Sequence, residues 1–480
     1  MINYKQSQYW RVEAQIVSGP KRSATGRLAA AASFVRQPGN AAPRLAAPLS
    51  AMRPRISAAW GEAASLLRRA GCWLGSWALR RSVSPKSLAG ISLLFAVCGA
   101  AWLSAGNGAG AIPGLIAAGG WLITLASARR LAEFAVERAT DRPGREATGE
   151  FAWIASLCSA AAESALCAGI AAGGAAGGLV HTWPLAVITM SSVAVAEVLA
   201  ACRAAAGPPG SRAAASQADA APGSGWRPSW PPRLSIGGRA LFAAAGYLIA
   251  GPSAALFAVA GAAGVSIVVA IATLWKVAPA GRDSGIGASG ALLELRDDGT
   301  LSRWAGRLVQ GTLLPLPPAL AGFIATVMLA ALGLGNLPGF IALTPPVVMM
   351  LAAPGSSHPH DGRFDWLVPA LLAAAQFVYF GALGFALAVP GQLVFAACSL
   401  TFVWYASLTR SAAGPGQAIA TRTGVPGHAG GWETRLFVVG IAATLGLPSL
   451  GYVGLAAYLG VLIYLKVAIG SLMPAQERRR

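Results

Sequence analysis

From Lys86 onward the chain alternates long apolar runs with two different kinds of connection. The runs match the length of apolar helix needed to cross a hydrocarbon layer of ~30 Å, and most are too uniformly apolar for surface helices. They predict twelve helical spans, at 88–106, 110–128, 151–173, 183–202, 236–250, 254–275, 315–333, 338–353, 366–386, 390–408, 436–448 and 452–470. The fifth, eighth and eleventh are short, and re-entry in place of crossing there sets the count between ten and twelve. Six connections carry no Asp, Glu, Lys or Arg: 106–109, 174–182, 251–253, 334–337, 387–389 and 448–451. The connections between them (129–150, 203–233, 276–307, 358–365 and 410–435) are all charged, as is the tail of three arginines at 478–480. The positive-inside rule then places the charged side and both termini in the cytoplasm, with six hairpins whose outer turns are bare. The expected fold class is an all-α polytopic integral membrane bundle of about twelve helices, in a bacterial inner (plasma) membrane.

Composition sharpens this expectation. Of 480 residues, 55% are hydrophobic and only 11% charged, where soluble domains carry about a quarter charged residues; a soluble enzyme is excluded. The 59 glycines suit helices that approach closely in a membrane. The net charge of +19 is concentrated before residue 88, where fourteen basic residues face only Glu13 and Glu62. Anionic head groups and the positive-inside bias account for that excess, so membrane lipids are the expected partners and nucleic acid is not. None of the six cysteines forms a CxxC pair, and they read as reduced packing residues. The predicted organisation is a basic region at 1–87, a first membrane region at 88–275, a cytoplasmic connector at 276–314 and a second membrane region at 315–480. Within the first of these, 1–56 shows no sustained apolar period, whereas Trp60, Ala64, Leu67, Gly71, Leu74 and Ala78 recur at helical spacing. That helix, near 57–81, either lies on the cytoplasmic leaflet or packs on the rest of the protein.

Three groups of residues are candidates for chemistry. The densest is the run from Ser356 to Asp365, with His358, His360, Asp361, Arg363 and Asp365. In an extended segment His358 and His360 face one way, and these imidazoles with Asp361 are the candidate ligands of a divalent metal, while Arg363 suits a phosphate. The competing reading is local: Asp365 caps the ninth helix and the histidines sit in a loop. The second group, Glu163 and Glu197, lies inside the third and fourth spans, where a carboxylate is costly unless protonated, paired or facing water. As members of one hairpin they are expected to approach each other and to share a proton on an ion pathway, or else to serve helix packing, with Glu197 snorkelling. The third is Asp297-Asp298-Gly299-Thr300-Leu301-Ser302-Arg303 followed by Gly311. It echoes the CDP-alcohol phosphatidyltransferase motif, but Leu295, Ser302, Pro315 and Ala319 stand where that motif has Asp, Ala, Asp and Asp. Without those carboxylates neither its metal pair nor its general base is assembled, and a simple turn explains the rest.

From Leu293 to Leu472, the stretches RDDGTLSRWAGRLVQGTLLPLPPALAG, LAAPGSSHPHDGRFDWLVPALL, GWETRLFVVGIAATLG and LAAYLGVLIYLK resemble an actinobacterial membrane family. That family is a domain of unknown function often found carboxy-terminal to CDP-alcohol phosphatidyltransferase domains. The SSHPHDGRFDWLVPALL run is the most specific element, and 131–275 resembles the same proteins more weakly. The resemblance implies a setting in phospholipid metabolism with a phospholipid synthase as partner, but not the transferase reaction itself. Three functions remain open: an auxiliary module that binds lipid or nucleotide-lipid near His358, His360 and Asp361; a secondary transporter or lipid flippase working through Glu163 and Glu197; and a metal-dependent phospholipid-modifying enzyme.

Overall fold

In a computed structural model of the chain, the residues described are 65–66, 69–106, 108–139, 145–206, 236–277, 297, 343, 346–347, 367–413 and 431–472. Two compact units are distinguished. Met1–Leu66 with Ala220–Arg227 form one, of which only 65–66 are described, and Leu67–Asp219 with Pro228–Arg480 form the other. All that follows concerns the second unit.

The described residues are helical, with no strand among them. The helices are α1 (Pro85–Ser104), α2 (Gly108–Ala139), α3 (Arg145–Ala176), α4 (Thr182–Ala206), α5 (Ile236–Val277), α6 (Leu367–Ala386), α7 (Gly391–Ala413), α8 (Trp432–Thr444) and α9 (Pro448–Leu472). All except α8 are long and apolar enough to cross a membrane, which makes eight such helices among the described residues. At 13 residues α8 spans only about 20 Å. Local chemistry sets the first boundary: the Ser84 hydroxyl accepts from the Ser87 amide at 3.0 Å, and Pro85 occupies the first turn, where its missing N–H costs nothing.

The chain reverses on single left-handed residues. Gly106, Gly178, Gly251, Ala388 and Gly446 have φ between 52° and 85°. Four of the five lie within uncharged connections expected from the sequence, and the fifth, Gly446, precedes its predicted turn by two residues. Within α5 the backbone leaves helical geometry at Ala250 and Gly251. A Cβ on Gly246 would overlap the Ala254 carbonyl and the Ala255 Cα, whereas eight residues of straight helix separate such groups by about 12 Å. This segment is therefore a hairpin of two arms, broken where the sequence placed a turn.

These reversals gather at one end of the bundle. Gly106 lies against Gly173 and Ala176, Gly174 against Pro252, and Gly391 against Trp183. The His181 imidazole meets the Ser253 hydroxyl at 3.0 Å, and the Tyr452 hydroxyl donates to the Phe380 carbonyl. Helix α1 comes close to α3, where a side chain on Gly169 or Gly173 would overlap the backbone of Ala100 or Leu103. These two glycines form a GxxxG pair, the spacing that lets membrane helices touch along their backbones. One apolar core runs through α1–α9, from Leu103 and Trp121 to Tyr452 and Leu462.

Three expectations are corrected. The charged connection at 129–150 is mostly helix: α2 continues to Ala139 and α3 begins at Arg145. Charged residues end an apolar run without ending a helix, so hydropathy ended the second span too early and began the third too late. The last hairpin is displaced, because Pro448 starts α9 and the turn falls at 445–447. In consequence α8 begins at Trp432, and Trp432, Glu433 and Arg435, assigned from sequence to a charged loop, are each fully buried. The helix expected near 57–81 is present over 69–80; Ala78 is buried with Leu88, Ala128 and Ala155, and the Ser127 hydroxyl donates to the Gly71 carbonyl at 3.0 Å. It thus packs on the bundle through one face, while Trp73 and Trp77 are exposed on the other.

Candidate functional site

Among the described residues, two ionic clusters stand in this apolar surrounding. The first joins α3, α4 and the first arm of α5. Arg239 donates from Nε to Glu163 Oε1 at 2.6 Å and from Nη2 to Glu163 Oε2 at 3.0 Å, a bidentate pair. Its Nη1 donates to Glu197 Oε1 at 2.8 Å. Arg239 and Glu163 retain 5% and 7% of their exposure, whereas the Glu197 side chain keeps 41%. Counted along the helices, the three residues lie about 17–22 Å from the turn end of the bundle. The two glutamates expected to approach each other do converge, but on a guanidinium between them and not on a shared proton.

Arg239 was not singled out from the sequence. The signal was present: one Arg inside an apolar span, in a chain with two carboxylates inside other spans, calls for pairing across helices. Beside this triad, α1, α2, α3 and α5 line a cavity of about 50 Å³, with Glu163 and Arg239 among otherwise mostly apolar lining residues. Trp121 also lines it; the residue is 1% exposed and its indole N–H has no hydrogen-bond partner among the described residues.

The second cluster anchors Asp297, from the connector, among α6, α7 and α8. Arg435 Nη2 donates to Asp297 Oδ2 at 2.5 Å, and the Trp404 indole donates to the same oxygen at 2.9 Å. The Asp297 carbonyl accepts from the Trp432 amide at 3.1 Å. Arg435 Nε reaches Gln376 Oε1 at 3.1 Å, Gln376 Nε2 donates to the Tyr405 hydroxyl at 2.6 Å, and the guanidinium lies 5.5 Å from the Tyr405 ring centroid. Asp297 adopts the left-handed conformation, with φ 53°, which Asp tolerates better than most residues. Burial pushes its carboxyl up to about 6, against the opposing pull of the Arg435 charge and of the hydrogen bonds from Arg435 and Trp404. Nearby, Lys466 Nζ donates to Ser407 Oγ at 3.0 Å and lies over the rings of Trp404 and Trp153, 5.1 and 5.8 Å from their centroids.

His358, His360, Asp361, Arg363 and Asp365 lie outside the described residues, as do Asp298 to Gly311. Among the described residues no three His, Cys, Asp or Glu side chains group as metal ligands. The cysteines are free thiols, with Cys167, Cys202 and Cys398 buried.

No protein-family model matches this chain, and no match was found among curated proteins or among solved structures. The class therefore follows from the helices themselves: the described residues are helical without strands, and their eight long apolar helices are compatible with a multi-pass membrane protein.

Proposed function

We propose that this chain is a non-catalytic module of phospholipid metabolism in the bacterial plasma membrane, holding a lipid or nucleotide-lipid head group at its charged face and partnering a phospholipid synthase. The observation that carries this reading is the fate of Asp297. In a transferase of the CDP-alcohol type, the first acid of the motif would have to face a metal and its substrate, and Leu295 stands at that position here. The carboxylate two residues on, Asp297, is 6% exposed and held by Arg435 and Trp404. It serves as an anchor for the connector, and this supports binding over group transfer. The head-group site assigned to this module is the 358–365 loop, with His358, His360 and Asp361 as ligands for a divalent metal and Arg363 for a phosphate.

The test is thermal unfolding of the detergent-purified protein with CDP-diacylglycerol, with CDP, and with Mg²⁺, Mn²⁺ or Zn²⁺. A ligand at ~100 times its dissociation constant stabilises a folded state it binds exclusively by ~2.7 kcal/mol. The reading expects stabilisation that disappears in a His358→Ala/His360→Ala/Asp361→Ala variant, and no release of CMP. Absence of any shift in folded protein overturns the loop assignment, and CMP release overturns the non-catalytic role.

A second reading, transport or lipid flipping, is favoured by the Glu163–Arg239–Glu197 triad, because ionisable groups within spans commonly mark pathways. Lipid scrambling or solute uptake in reconstituted vesicles, lost on Glu197→Gln, supports that reading; activity equal to empty vesicles removes it.

A further inference from the structure

We propose that the helix over residues 69–80 is a docking element for anionic phospholipid. Its inner face holds the bundle, and its outer face, with Trp73 and Trp77 between Arg69 and the Arg80–Arg81 pair, lies on the head groups at the charged side of the membrane. The inference shares with the function proposed above only the membrane setting, and it does not depend on the 358–365 loop.

Three observations lead to it. The first is that this helix has two unlike sides. Gly71, Gly75 and Ala78 are buried, and a Cβ on Gly71 would come to 3.0 Å from the Ala126 Cβ, so small residues let the helix lie close on α2. On the opposite side Arg69, Trp73, Trp77 and Arg81 follow one another at intervals of four, which lines them up in one row, with Arg80 beside it. All five are exposed, Trp73 at 67% and Trp77 at 41%. The row is held in place at its end: the Arg81 amide donates to the Trp77 carbonyl at 3.1 Å and the Val83 amide to the Ala78 carbonyl at 2.9 Å, around a left-handed Ser82. Such a closed turn sets the direction of the helix relative to α1.

The second observation is level. The inner face packs with Leu88 on α1, Ala126 to Ala128 on α2 and Ala155 on α3. Counted along those helices, these residues stand roughly 27–34 Å from the turn end of the bundle. A hydrocarbon layer is ~30 Å thick, so uncharged turns at one surface of it bring this helix to the other. Between the two ends, Leu94 and Val97 on α1 and Ile112 and Ile116 on α2 are exposed, outer faces that an apolar layer covers. The third observation is charge. Between Glu62 and Glu133 the sequence has seven basic residues and no acidic one, and among the described residues no carboxylate pairs with Arg69, Arg80 or Arg81. Indoles settle at the head-group level of a bilayer, and guanidinium groups bind phosphate. Trp and Arg also mark protein interfaces, but the level of the helix and the exposed apolar faces beside it favour lipid.

The experiment uses the full-length protein in nanodiscs of phosphatidylcholine with phosphatidylglycerol. Trp73→Cys carries a nitroxide, on a background in which the two exposed cysteines are removed by Cys72→Ser and Cys98→Ala, and its depth is read from accessibility to oxygen against a nickel chelate. The label is expected at the level of the lipid phosphates. A label as open to the chelate as one in water, or shielded from both reagents by protein, overturns the proposal, the second outcome in favour of a protein partner. Native mass spectrometry then compares the two lipids retained by the protein. Phosphatidylglycerol is expected to be preferred, and each of Arg69→Gln, Arg80→Gln and Arg81→Gln is expected to lower the preference about 5-fold, the worth of ~1 kcal/mol per basic residue at an anionic surface. A preference unchanged when all three are replaced, in protein whose unfolding midpoint in detergent matches wild type, overturns the anionic partner. The His358→Ala/His360→Ala/Asp361→Ala variant is expected to keep the preference. Its loss there, with the arginine variants unaffected, moves the anionic lipid to the loop and overturns this site, so the two proposals fail independently.

Discussion

The two ionic clusters use the same chemistry, a carboxylate on a guanidinium, in opposite ways. Around Asp297 and Arg435 the pair is enclosed: neither side chain exceeds 3% exposure, and Trp404, Gln376 and Tyr405 surround it with hydrogen bonds and a ring. Around Arg239 one carboxylate is enclosed and the other, Glu197, keeps 41% of its side chain exposed, beside a cavity. An enclosed pair fixes geometry. A pair with one open member leaves part of its charge within reach of other groups. The difference assigns connector anchoring to the first cluster and makes the second the better place to look for a ligand or a moving charge.

The largest effect is expected from Arg435→Ala, which strands the Asp297 carboxylate in the core and should cost about 3–5 kcal/mol, read as a lowered unfolding midpoint in detergent. Pairing it with Asp297→Leu should recover most of that loss, since removing both charges is far cheaper than removing one; no recovery would show that the anchor depends on more than charge. Next comes Glu163→Gln, which weakens a bidentate, buried contact and should cost about 1–3 kcal/mol by the same readout. Glu197→Gln, at a partly exposed contact, should cost less than about 1 kcal/mol, and a loss equal to that of Glu163→Gln would erase the contrast between the two glutamates. A separate effect concerns pH. Because the folded Asp297 carboxyl sits above its ordinary 3.8, at about 6, the folded state holds the proton longer than the unfolded one. The stability of wild type relative to Asp297→Asn should therefore decline as pH rises from about 4 to 6 and level off above. A difference that rises over this interval would mean that Arg435 outweighs burial.

The fold was legible where charge and apolarity separate cleanly. The hairpin break at Gly251 and the helix limits at Leu367–Ala386 fall within a residue or two of their expected positions, because an uncharged turn between apolar runs has few alternatives. Helix ends that run on through charged residues, as at Ala139, were not legible, since hydropathy records burial in lipid and not backbone hydrogen bonding. Glu163 and Glu197 were legible as expensive residues, but their partner was not, because pairing joins residues 76 and 42 positions apart. Arg435 was hidden more deeply. It lies 138 positions from Asp297 and among polar residues that resemble a loop, so only tertiary structure reveals that it is buried.

The reversals at Gly106, Gly178, Gly251, Ala388 and Gly446 also bear on how the chain enters a bilayer. Moving one elementary charge against a membrane potential takes ~2.3 kcal/mol per 100 mV. None of these turns carries Asp, Glu, Lys or Arg, so the turn itself does no electrical work on the way through. Each turn can thus cross at any resting voltage, and the potential acts only on the charges that the helices and the charged connections carry.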